Sequence, residues 1–110
     1  MNRRRYIPEL NSKNPNIRSF GERVATNSPI QGTAADLIKL AMIACHDGLK
    51  DEGVKMIIQV HDELVFKVPK EKIKDTARKV KKLMEGVIEL EVPLKVDIEA
   101  GANWLDMETI

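Results

Sequence analysis

An α+β fold, in which two amphipathic helices cover a small antiparallel sheet, is what three features of this 110-residue chain predict. Two apolar runs, Lys55-Met56-Ile57-Ile58-Gln59-Val60 and Leu64-Val65-Phe66-Lys67-Val68, flank the short tip His61-Asp62-Glu63 and read as a β-hairpin. One helical face, Ile30, Ala34, Leu37, Ile38, Ala41, Cys45 and Leu49, precedes the hairpin; a second, Ile73, Ala77, Val80, Met84 and Val87, follows it. Beyond Pro93, the residues Leu94, Val96 and Ile98 alternate with Lys95, Asp97 and Glu99, the period of a last, half-buried strand.

Taken in order, Arg3 to Pro15 has turn chemistry and no period, and predicts an irregular arm with one short strand around Arg5–Ile7. Ile17, Phe20 and Val24 predict a short helix from Asn16 to about Thr26. The sequence Asn27-Ser28-Pro29 then reads as a stop and restart, a polar cap followed by proline in the first turn of the next helix. That helix runs to about Asp51, and Gly53 stands where a left-handed residue closes a helix. Pro69 ends the hairpin and the second amphipathic helix begins near Lys70, with lysines on its wet side. Gly101 and Trp104 close the chain. Three strands are few for two amphipathic helices to cover.

The composition, 43% apolar and 32% charged, is that of a soluble globular domain without a membrane span or signal peptide. A lone Cys45 rules out an intrachain disulfide and a zinc site, and fits a reducing, cytoplasmic setting. The net charge of +1 hides a gradient: residues 1–23 carry six bases against two acids, and residues 91–110 carry five acids against one base. A basic leading end suits phosphate contact, although terminal bases are often only solvated. Chemistry is best sought at the hairpin tip, where three ionisable residues are held between rigid apolar strands. Acids at a solvated turn are also ordinary.

Three motifs point further. They are Arg3-Arg4-Arg5-Tyr6-Ile7-Pro8-Glu9, then Glu22-Arg23-Val24-Ala25-Thr26-Asn27-Ser28-Pro29-Ile30-Gln31-Gly32-Thr33-Ala34-Ala35-Asp36, then Gln59-Val60-His61-Asp62-Glu63-Leu64. With the ending Gly101-Ala102-Asn103-Trp104, they closely resemble the C-terminal end of the bacterial family A DNA polymerases, in that family's order and spacing. The resemblance implies part of a polymerase palm of split βαββαβ topology: residues 1–28 would end the fingers, with their arm and short helix, and residues 29–110 would form the C-terminal part of the palm. No segment resembles the palm strand that bears the family's first metal-binding aspartate, or the fingers helix that holds the incoming nucleotide.

The resemblance also implies roles. Asp62 would be one of two principal carboxylates for a two-Mg²⁺ site, of which only half is present here; Glu63 would be an auxiliary acid, and His61 would position the primer end. Asp62 and Glu63 converge on one ion only if the bend reorients them, because side chains alternate along a strand. Arg23, Asn27 and Gln31 stand at four-residue steps and share a face if helicity persists around Pro29. By resemblance these three, with His61, contact template–primer DNA in the minor groove; capping by Asn27 and a solvated Gln31 is the alternative reading. The implied activity is DNA-directed addition of deoxynucleotides to a primer 3′ end, in DNA replication and repair. The chain alone is expected to be inactive until the missing strand and fingers complete it. Open sheet edges suggest a partner in trans or self-association. A non-catalytic DNA-binding remnant is the rival reading, and a salt-dependent binding assay separates it from an inert fragment.

Overall fold

Asn14 and Pro15 open the longest element of the chain. In the computed structural model, which describes residues 3–110, the Asn14 side-chain oxygen accepts the Asn16 backbone N–H at 3.0 Å, and Pro15 occupies a position where its missing N–H costs nothing. From there helix α1 runs unbroken from Pro15 to Leu49, 35 residues. The expected stop and restart at Asn27-Ser28-Pro29 is therefore absent, and Pro29 lies inside the helix. Proline withholds the N–H that would bond the Ala25 carbonyl, a cost of about 3 kcal/mol. Long helical runs on both sides outweigh one lost bond.

The arm holds no strand at Arg5–Ile7; a single 3₁₀ turn, Pro8–Asn11, follows it instead. That turn lies on α1 at Gly21, where an added Cβ would sit 3.0 Å from the Glu9 Cβ and 3.0 Å from the Leu10 nitrogen. Met1 and Asn2, which belong to the segment expected to end the fingers, lie outside the described residues.

The chain forms two compact units, Met1–Asp36 and Leu37–Ile110. In the second, α1 ends at Leu49 and Gly53 takes the left-handed conformation with φ +70°, as expected. Strands β1 (Lys55–Val60) and β2 (Glu63–Lys67) form the antiparallel hairpin. Its register shifts between Met56 and Ile58, so Ile57 is the extra residue of a bulge. A 3₁₀ turn, Lys70–Lys72, leads into α2, Ile73–Glu85. Helix α2 stops before Val87, which therefore does not continue the helical face. Cys45 and Leu49 of α1 pack with Val80 of α2, flanked by Val54, Met56, Phe66, Leu83 and Met84. Gly48 lets the two helices approach, since a Cβ there would lie 2.7 Å from the Leu83 Cδ1.

The last strand departs most from expectation. Leu94, Val96 and Ile98 are half-buried and alternate with exposed Lys95, Asp97 and Glu99, so the two-residue period is real. Yet this segment joins no ladder, and the hairpin and the last strand do not make one sheet. The Val96 N–H instead donates to the Glu85 Oε1 at 2.9 Å. A second small ladder forms further on, between β3 (Glu99–Gly101) and β4 (Met107–Thr109). The Ile110 N–H extends it to the Ile98 carbonyl. Alternation gives a strand its faces, but a sheet also needs a neighbouring edge. Among the described residues no helix is long and apolar enough to cross a membrane.

Candidate functional site

Two groups of sequence-predicted residues are built on different units, and each is described by itself. In the first unit, continuity of α1 through Pro29 decides the geometry. Four-residue steps advance about 400° around a helix, so Arg23, Asn27 and Gln31 lie on one gently drifting face. All three are exposed, and all three line a cavity of about 330 Å³ together with Arg5, Phe20, Val24 and Ser28. The Arg23 Nη1 donates to Ser19 one turn back, at 3.3 Å. The lining contains two guanidinium groups and two amides but no carboxylate. Such a surface offers hydrogen-bond donors and positive charge to an anionic or acceptor-rich ligand.

Sequence reading missed Arg5 and Ser28 in this cavity. The Arg5 Nη1 donates to the Ser28 hydroxyl at 3.1 Å, tying the irregular arm to α1. Nothing in the spacing of the arginine run signals this contact, which depends on how the arm folds back. Arg3 is engaged differently: its Nε lies 2.9 Å from the Oδ1 and 3.1 Å from the Oδ2 of the buried Asp36 carboxylate. Arg3 and Arg5 therefore do separate things.

In the second unit, His61 and Asp62 form the two-residue loop of the hairpin, closed by the pair Val60 and Glu63. His61 adopts φ +50°, whereas Asp62 does not have a positive φ. Histidine tolerates the left-handed region better than most residues. The Gln59 amide donates to the His61 carbonyl at 2.7 Å and pins the bend. His61, Asp62 and Glu63 are all exposed. Because Asp62 belongs to the loop and Glu63 is the first residue of β2, strict strand alternation does not separate them. Among the described residues no group of three or more His, Cys, Asp or Glu could hold a metal ion. Two exposed carboxylates are nonetheless the donor type Mg²⁺ uses, since it takes one or two carboxylates and completes its shell with phosphate and water. The residues present fit part of such a site.

The model of DNA polymerase family A matches residues 1–106 of the chain. The chain is 55% identical over 108 residues to the DNA polymerase I of Bacillus subtilis (strain 168), covering 96% of its own length and 12% of that protein. It is 50% identical over 103 residues to the thermostable DNA polymerase I of Thermus aquaticus, covering 94% of its own length and again 12% of the relative. Among solved structures, the POL domain of Pol1 from M. smegmatis, in complex with DNA primer-template and dNTP, superposes with a TM-score of 0.78 at 45% identity. That superposition covers 84% of this chain and 17% of the other.

Proposed function

Because the chain belongs to DNA polymerase family A, we propose that it supplies the C-terminal palm portion of a template-directed DNA polymerase, following a fingers segment that ends near residue 28. The observation that carries this reading is the cation- and amide-lined face of Arg23, Asn27 and Gln31 on an unbroken α1. Amides and a guanidinium suit the acceptors that every base pair presents in the minor groove, so the face senses pair shape and not sequence. Template–primer DNA and a deoxynucleoside triphosphate are the substrates, as in the complex of the solved relative.

Asp62 is the principal carboxylate this chain contributes to a two-metal site, with Glu63 beside it and His61 turned to the primer end. When bound, the two divalent ions, Mg²⁺ in this reading, activate the primer 3′-hydroxyl and neutralise the leaving pyrophosphate. The chain's own residues hold and orient: Asp62 fixes charge at the tip, and the pinned turn keeps it from wandering. With one principal carboxylate absent from these 110 residues, they do not extend a primer by themselves. Activity requires the palm strand and fingers that complete the site, supplied by the rest of a longer chain or in trans.

The test is primer extension by the 110-residue chain, alone and mixed with a polypeptide carrying the remaining polymerase segments. Extension is expected only in the mixture. Asp62→Asn in the mixture should lower the rate by about 10³-fold, the equivalent of several kcal/mol of lost charge stabilisation. Extension by the chain alone, or full activity of Asp62→Asn, would refute the assignment. The second reading, DNA binding without catalysis, draws on the same cation-lined cavity. It predicts salt-dependent duplex affinity that Asp62→Asn leaves unchanged and no extension in any mixture.

A further inference from the structure

The segment Leu94–Ile98 has one edge shut and one edge open. Leu94, Val96, Ile98 and Ala100 are half-buried, in phase with strand β3, and Lys95, Asp97 and Glu99 between them are exposed. In extended backbone the N–H and C=O of one residue point to one edge, and those of the next residue point to the other. The Val96 N–H donates to the Glu85 Oε1, the Ile98 carbonyl accepts the Ile110 N–H, and Ala100 pairs with Glu108. The even-numbered edge is therefore engaged. The backbone groups of Lys95 and Asp97 point the other way, and among the described residues they have no hydrogen-bond partner.

An open edge invites another strand, and the side chains decide which strand fits. Antiparallel pairing of this edge with itself, centred on Val96, sets Lys95 of each copy opposite Asp97 of the other. Lys95 and Asp97 then exchange both N–H···O bonds, and their opposite charges attract directly across the ladder. On the half-buried face Leu94 meets Ile98, and Val96 meets itself. The neighbouring registers are poorer. Centring on Lys95 sets Lys95 against Lys95 and requires of Pro93 an N–H that proline lacks. Centring on Asp97 keeps Lys95 opposite Glu99 but sets Asp97 against Asp97. A lysine on an edge strand ordinarily discourages pairing, and a facing aspartate reverses that. Among the described residues neither Lys95 nor Asp97 is held in an ion pair within its own chain.

We infer that the 110-residue chain forms a two-fold dimer by pairing the 94–98 edges of two copies about Val96. The contact is isologous and closes on itself. Glu85 and Ile110 occupy the opposite edge, so this segment recruits one further copy and no more. The dimer is a property of the second unit alone and does not depend on whether α1 meets DNA.

Hydrogen exchange of the 110-residue chain at rising concentration tests the edge. The Lys95 and Asp97 amides should gain protection with concentration, while the Val96 amide, held by Glu85, should be protected throughout. Charge exchange tests the register. Lys95→Asp and Asp97→Lys each set like charges across the ladder, and each should weaken dimerisation about tenfold in sedimentation equilibrium. Both positions are exposed, so neither change touches the core. Mixing the two variants sets every aspartate opposite a lysine again, and should restore both the dimer and the amide protection. A monomer at every concentration, or dimers whose Lys95 and Asp97 amides exchange freely, would overturn the inference. Single exchanges without effect, or a mixture no tighter than its parts, would do the same.

Discussion

Cys45 has no accessible surface, and burial pushes its thiol pKa above the ordinary value. The folded chain therefore keeps the neutral thiol where the unfolded chain ionises, at about pH 8.5. The associated stability is present in full below that pH and is lost as pH rises toward the folded-state value. Urea midpoints at pH 7 and pH 9.5 should show a decline that Cys45→Ala abolishes. The native thiol should also resist alkylation until the chain unfolds. Leu49, 2% exposed, sits beside Cys45 in a core whose fully buried members are few. Leu49→Ala should cost about 2–5 kcal/mol by loss of transfer energy and cavity formation. That is a large share of the 5–15 kcal/mol typical of a whole domain, so denaturant titration should find the midpoint of this variant sharply lowered. These core positions were legible in the sequence, since Ala41, Cys45 and Leu49 stood on the helical face. Ile30 and Ala34 stood on it too and are exposed, because no packing partner covers that end of the face among the described residues.

The secondary-structure elements divide into those whose signal is local and those that depend on neighbours. The hairpin follows from two apolar runs and a short tip, and its strands fall within a residue or so of their expected bounds. Gly53 follows from its place after the helix. Whether Asn27-Ser28-Pro29 stops a helix is not local: the same residues cap one helix or ride inside another, according to what the flanking turns stabilise. Pro29→Ala restores a backbone donor and should raise the melting midpoint, by an amount equivalent to about 1–3 kcal/mol. Circular dichroism would register the shift, and a lower midpoint would mean that Pro29 is favoured by its surroundings. The β3–β4 ladder depends on Gly101, where a Cβ would lie 2.0 Å from the Asp106 carbonyl oxygen. Gly101→Ala should open this ladder, which hydrogen exchange at the Ile110 amide would report as lost protection. The site was legible to the same degree. Arg23, Asn27 and Gln31 share a face because helicity persists, whereas Arg5 joins them through a fold-back that no periodicity encodes.

At the scale of the whole molecule, the chain exposes much that a self-sufficient domain would bury. In the second unit Ile43, Ile57, Ile58, Leu90, Val92, Trp104 and Leu105 are all exposed large apolar residues. Each ladder has only two strands, so every strand has an open edge. Self-association is the expected outcome when nothing else covers these edges. Light scattering should show mass rising with concentration, and Ile57→Lys on the bulged strand should shift the population toward monomer. A mass that stays monomeric at all concentrations would count against open edges as docking sites. The first unit has a topology with a consequence of its own. Arg3 clasps Asp36, the last residue of that unit, so the chain enters and leaves it at one place. A segment whose two roots adjoin is an excursion, and its far end around Pro15 can lengthen or shorten without moving either root. Insertions are therefore best tolerated at that distal bend.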